Sequence, residues 1–85
     1  PMVIDADAIN LLSENSNLYQ LVPANSILTP HFKEFERLVG KSENDFHRIE
    51  KLISFSKDKN IFTILKGRHT VIATPKGEVY FNSTG

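Results

Sequence analysis

An α/β fold is what this chain predicts: a mostly parallel sheet with helices on its faces and a C-terminal β-hairpin. Three observations carry that reading. The short apolar runs Met2-Val3-Ile4, Ser26-Ile27-Leu28-Thr29 and Ile61-Phe62-Thr63-Ile64-Leu65 have the length and β-branched character of buried strands. Between them, apolar residues recur every three or four positions, as on one face of a helix. Near the end, two more apolar runs flank Pro75-Lys76-Gly77, the residue types of a tight turn. Alternating strands and helices favour parallel pairing through right-handed crossovers.

Each element has its own signals. Asp7 is placed to cap a short helix carrying Ala8, Ile9, Leu11 and Leu12. Ser13 to Ser26 is polar, with one helical turn expected around Leu18, Tyr19 and Leu21. Thr29-Pro30 closes the second strand and opens a helix with Phe32, Phe35, Leu38 and Val39 on one face, ended by Gly40. Ser42 with Asp45 fits a capping box for the next helix. That helix is expected to bury Phe46, Ile49, Leu52 and Ile53, to turn Arg48, Glu50 and Lys51 to water, and to leave through the polar loop Lys57-Asp58-Lys59-Asn60. His47 reads as a solvated helix residue without a function. The final hairpin pairs Val71 to Thr74 with Glu78 to Phe81.

Composition narrows the functions. Ten basic residues balance ten acidic ones over 85 residues, so no cationic excess is available for a nucleic-acid backbone. With no cysteine, disulfides, thiolate nucleophiles and Cys-ligated metals are excluded. No apolar stretch approaches the roughly 18 residues of a membrane span, and a cytoplasmic protein is the expectation. One segment, residues 1–85, is read as a piece of a longer domain.

The chain is organised around Lys66-Gly67-Arg68-His69-Thr70, between a buried strand and the apolar run Val71 to Thr74. Lys66 offers charge, Thr70 a hydroxyl and the turn its N–H groups, a set suited to a phosphate or nucleotide; the alternative is a solvated loop. Gly67 is expected to allow a sharp turn or a close ligand approach. His31 stands where strand passes into helix, at the carboxyl end of a parallel sheet where ligands bind, and is either a ligand contact or a hydrogen-bonding cap. Glu34 suits the helix dipole. Asp5 and Asp7 either bind a metal or a ligand hydroxyl, or serve as caps and acceptors.

Three stretches carry a family resemblance: Val3 to Asn10, Leu28-Thr29-Pro30-His31-Phe32-Lys33-Glu34-Phe35, and Lys66 to Thr74 with Val79-Tyr80-Phe81-Asn82-Ser83-Thr84-Gly85. In order and spacing they resemble the ADP- or ATP-dependent NAD(P)H-hydrate dehydratases, relatives of carbohydrate kinases. The likeness implies part of a ribokinase-like three-layer αβα sandwich. It also implies repair of hydrated NADH or NADPH, in which an adenine nucleotide phosphorylates the hydrate hydroxyl and loss of phosphate restores the cofactor. Matched by motif, His31 contacts the hydrate, and Lys66, Gly67, Arg68, His69 and Thr70 line the nucleotide site. Asp5, Asp7, Asn10 and Glu34 stand as further pocket candidates. Magnesium is the expected companion of the nucleotide phosphates, with no metal ligand assigned in this chain.

Two departures accompany the likeness. The family pattern His-Pro-Gly-Glu reads His31-Phe32-Lys33-Glu34 here. The glycine-rich segment and its catalytic aspartate are expected beyond Gly85, so no catalytic residue is assigned and the isolated 85 residues are expected to be inactive. Expected partners are the hydrate, the nucleotide, and the remainder of the parent chain or a second copy; nucleic acid and membrane are not. Alternative readings are a thiazole or sugar kinase of the same fold, or a free-standing module that binds through its sheet edge.

Overall fold

In the computed structural model, which describes residues 3–82, strands and helices follow the expected order. They are β1 (Val3–Ile4), α1 (Ala6–Glu14), a 3-10 helix (Ser16–Leu21), β2 (Ile27–Leu28), α2 (Phe32–Val39), α3 (Asp45–Lys59), β3 (Phe62–Leu65), β4 (Thr70–Ala73) and β5 (Val79–Asn82). Met2 of the first predicted strand and Ser83-Thr84-Gly85 of the third motif lie outside the described residues.

The sheet runs in chain order, β1-β2-β3-β4-β5. β1, β2 and β3 are parallel; β3, β4 and β5 form an antiparallel meander, so the described sheet is mixed. The final hairpin keeps the expected pairing, with Val71 opposite Phe81 and Ala73 opposite Val79, its strands bounded one residue further from the turn. Its turn needs Gly77, whose φ of +90° belongs to the left-handed region.

Both parallel crossovers step in the same direction along the sheet, and right-handed connections of that kind place their helices on one face. One core results: Ile4, Leu28, Leu65, Val71 and Ala73 from the strands meet Ile9, Leu12, Phe35, Leu52 and Phe55 from the helices. Phe55 stands at the centre, edge-on to Phe35 (ring centroids 5.7 Å apart) and to Tyr19 (5.9 Å). The opposite sheet face aligns Val3, Ile27 and Phe62 in one row and Ile64, Ile72 and Tyr80 in another. Val3 and Tyr80 are exposed there.

Several local expectations are corrected. Asp5, not Asp7, occupies the cap position of α1, because β1 ends at Ile4 and leaves one junction residue; Asp7 lies in the first turn. Asn44, not Ser42, caps α3, its Oδ1 accepting from the His47 N–H at 2.8 Å. α3 turns Phe46 outward (74% exposed) and buries Leu52, Phe55 and Ser56. At about 100° per residue, Phe46 points half a turn away from Phe55, the residue that fixes the helix against the core. The helix also continues through Lys57, Asp58 and Lys59, and left-handed Asn60 ends it. Lys51 turns back to donate to the carbonyls of Val39 (3.4 Å) and Lys41 (2.6 Å), satisfying the end of α2. His47 is half-buried, its Nδ1 accepting from the Glu43 N–H at 3.2 Å.

A polar pair sits inside this apolar interface. The Ser56 hydroxyl donates to Thr63 Oγ1 at 2.7 Å, both side chains fully buried, and joins α3 to β3.

Candidate functional site

Parallel strands bring their carboxyl ends to one edge of the sheet, and β1, β2 and β3 therefore deliver Asp5, Thr29 to His31, and Lys66 to the same side. The ladder continues past the strands. Thr29 N–H donates to Ile4 O (3.2 Å), Lys66 N–H to Pro30 O (2.8 Å), and Phe32 N–H back to Lys66 O (2.9 Å). His31 and Lys66, separate in sequence, thereby form a parallel bridge.

The stretch from Lys66 to His69 is the exposed loop between β3 and β4, with Thr70 opening β4. Gly67 lacks a positive φ, and a methyl there would meet Phe32 Cδ1 at 3.7 Å, an ordinary contact. The chain bends at Gly67 without needing a left-handed φ, so what glycine offers there is a bare backbone beside the cavity.

Beside this loop lies a cavity of about 730 Å³. Its floor is apolar, from Leu65, Val71 and Phe81, one cross-strand row of β3, β4 and β5. Phe32 and Ile49 form its helix side. Arg48, Arg68 and His69 bring cationic or ionisable groups, and Asp45 and Asn82 complete the rim. Phe81 is 64% exposed, so an aromatic face is open to a ligand. Aromatic and apolar surface beside guanidinium groups suits a flat ring that carries anionic groups.

Arg48 was expected to face water. Instead its guanidinium lies 5.5 Å from the Phe32 ring centroid and its Nη1 pairs with Asp45 Oδ1 at 2.7 Å. Its Nε is buried and has no partner among the described residues.

The predicted residues divide clearly. Gly67, Arg68 and His69 line the cavity; Lys66 and Thr70, at the two ends of the loop, do not. Exposed His31 lies against Phe32, ring centroids 4.8 Å apart. Glu34 serves α2, accepting from the His31 N–H at 2.8 Å. Asn10 accepts from Arg37 Nη1 at 3.0 Å and so ties α1 to α2. Asp5 and Asp7 are exposed and outside the cavity. Among the described residues no cluster of three His, Asp or Glu side chains could hold a metal ion. A second, shallower depression lies along α3, with Val39, Lys51 and Phe55 in its walls and none of the predicted ligand residues.

Fold and site together define an α/β protein with an apolar, aromatic and cationic cavity beside the loop at its strand ends. Comparison with known proteins makes the class specific. The family described as NAD(P)H-hydrate dehydratase matches residues 1–85, and the chain belongs to that family. It is 37% identical over 90 residues to the ADP-dependent (S)-NAD(P)H-hydrate dehydratase of Neisseria meningitidis, covering 100% of this chain and 30% of that protein. The crystal structure of the Bacillus subtilis ADP/ATP-dependent NAD(P)H-hydrate dehydratase, co-crystallized with ATP/Mg2+ and soaked with CoA, superposes with a TM-score of 0.76 at 32% identity, over 100% of this chain and 30% of that one. A ribokinase-like superfamily protein of Enterococcus faecalis aligns with a TM-score of 0.73 at 26% identity, over 98% and 28%. The helical layer and sheet described here are thus part of a ribokinase-like fold, and the chain spans 16–30% of the length of such curated relatives. No helix among the described residues is long and apolar enough to cross a membrane.

The sequence reading missed Arg48 and Phe81 as cavity residues. Asp45 three positions before Arg48 signalled an ion pair, but nothing local placed that pair beside Phe32.

Proposed function

We propose that this chain is a segment of an ADP- or ATP-dependent dehydratase that repairs hydrated NADH and NADPH. The observation that carries the reading is the bridge between His31 and Lys66, which sets the proposed hydrate contact beside the proposed nucleotide loop next to an aromatic, cationic cavity. In the reaction, the hydrate hydroxyl oxygen attacks the terminal phosphoryl group of the nucleotide, releasing AMP when ADP is the donor. Phosphate then leaves from that ester with the C–O bonding electrons as the neighbouring carbon gives up a proton, and the nicotinamide double bond returns. Lys66 and Arg68 lend charge to the nucleotide, Gly67, His69 and Thr70 shape its seat, and His31 orients the hydrate.

Magnesium would arrive on the nucleotide phosphates, since the described side chains form no ligand cluster for it. The open sheet face, with Phe62, Ile64, Ile72 and Tyr80, fits coverage by the remainder of a longer chain or by a second copy. The proposal carries the cytoplasmic expectation with it. The test uses the full-length protein with hydrated NADH and ADP, and recovery of the nicotinamide absorbance is expected. Phosphorylation of a thiazole or sugar alcohol with the hydrate left intact would overturn it. The isolated 85 residues are expected to show neither activity.

A further inference from the structure

Arg48 brings a half-buried cation to the cavity wall from the start of α3. Its side chain is 24% exposed, against 91% for Asp45, whose Oδ1 accepts from Nη1 at 2.7 Å. Among the described residues that is the hydrogen bond the guanidinium makes, and its Nε is buried without a partner. A guanidinium carries five N–H donors, and a buried one left unmatched costs free energy. Arg68 and His69 stand on the same rim, and Asp45 is the single acid among the described lining residues. The whole chain balances ten basic residues against ten acidic ones, so this cationic excess is local. Asp45 is held loosely, because water competes for an exposed ion pair and leaves it little net stability. An anionic oxygen entering the cavity can therefore take the place of the Asp45 oxygen. It meets a guanidinium already packed into the wall, which loses little side-chain freedom on binding.

We propose that Arg48 binds a phosphate of the adenine nucleotide, with the Asp45 carboxylate as its internal competitor. Asp45 holds the guanidinium until a nucleotide phosphate displaces it into solvent, and the planar guanidinium can then donate to two phosphate oxygens at once. This rests on the dehydratase reading above, which seats an adenine nucleotide on the loop from Lys66 to Thr70. It adds a contact from α3 to those of the loop, and a competing anion that sets how tightly the nucleotide is held. The two roles separate by substitution. Arg48→Met keeps the apolar stem and removes the charged donors. Asp45→Asn removes the competing charge at an exposed position and leaves the arginine in place.

The experiment measures ADP affinity by calorimetry on the full-length protein, with a melting curve for each variant. It is run at about 0.15 M ionic strength, where exposed charges not in contact are largely screened. Loss of a charge-assisted hydrogen bond predicts that Arg48→Met weakens ADP about tenfold or more. Release of the competing pair predicts that Asp45→Asn tightens ADP about two- to fivefold. That gain is expected to vanish in the double variant Asp45→Asn/Arg48→Met. A merely structural ion pair moves the other way, since breaking it lowers the melting temperature and does not tighten ADP. An unchanged affinity in Arg48→Met, an unchanged or weakened one in Asp45→Asn, or an equal gain from Asp45→Asn without the arginine overturns the proposal. If Arg48→Met does not fold, Asp45→Asn decides alone. Failure of the underlying reading has a different signature: the wild-type protein itself binds no ADP, and the role of Arg48 falls with it.

Discussion

Replacing Ser56 by alanine probes how α3, which carries Arg48, is fixed to β3, which leads into the proposed nucleotide loop. The Ser56 hydroxyl donates to Thr63 Oγ1 at 2.7 Å with both side chains fully buried. Alanine leaves the Thr63 hydroxyl oxygen in an apolar interface without that donor, a loss of about 1–3 kcal/mol. The reverse change, Thr63→Val, is milder, about 1 kcal/mol or less, because the serine hydroxyl can turn to the carbonyl four residues back in its own helix. The double variant Ser56→Ala/Thr63→Val removes donor and acceptor together with little change of volume and is expected close to wild-type stability. Urea unfolding of the four proteins closes the cycle, with a coupling that matches the sum of the two single losses, about 1–4 kcal/mol, expected. Additivity of the two single changes would show that the hydroxyls do not support each other and that apolar packing alone docks α3.

Four further outcomes are expected. Lys66→Ala in the full-length protein weakens ADP binding while leaving the melting temperature nearly unchanged, since the side chain is exposed; an unaltered calorimetric affinity would remove Lys66 from the site. His31→Ala raises the apparent constant for the hydrate and spares ADP affinity, and a pure stability loss would mark His31 as structural. Gly77→Ala places a side chain at φ +90° and 2.8 Å from Lys57 Cδ, costing about 1 kcal/mol or more by urea unfolding. Tyr19 is raised from 10.0 to about 12 by burial, so between those values the unfolded chain gives up its phenolic proton first. Stability therefore falls as pH rises through that window and is untouched below it; Tyr19→Phe should abolish the slope in pH-resolved melting curves.

Much of the architecture was legible because its signals are local. Short β-branched runs bounded by polar residues gave β2 and β3, and the spacing of Phe32, Phe35, Leu38 and Val39 gave α2 to its glycine end. α3 was harder. Ser42 and Asn44 are both competent caps, and choosing Ser42 shifts the expected start by two residues. Phe46, Ile49 and Ile53 form as regular an apolar stripe as Leu52 and Phe55; the winning face is the one that meets Phe35, Tyr19 and the Thr63 hydroxyl. The loop at Lys66 announced itself by composition, whereas the cavity beside it depends on α3 lying next to α2. That placement brings Arg48 over Phe32, and no local pattern encodes it.

The separation of duties within this edge of the sheet explains why its ligand candidates lie where they do. Asn10 and Glu34 satisfy helix packing and capping, so their polar groups are already engaged. The 66–69 loop is exposed yet anchored at its first residue on both sides, by Lys66 N–H to Pro30 O and by Phe32 N–H to Lys66 O. An exposed loop with a fixed root can present charge to a nucleotide without a large ordering cost on binding. Its far end is held as well, by the β4 pairing of Val71 with Leu65 on one side and Phe81 on the other. The same cross-strand row floors the cavity, so the contacts that close the hairpin also build the apolar surface against which a flat ring can lie. Loosening that row would therefore cost ligand affinity and hairpin stability together, whereas trimming Arg68 or Lys66 would cost affinity alone.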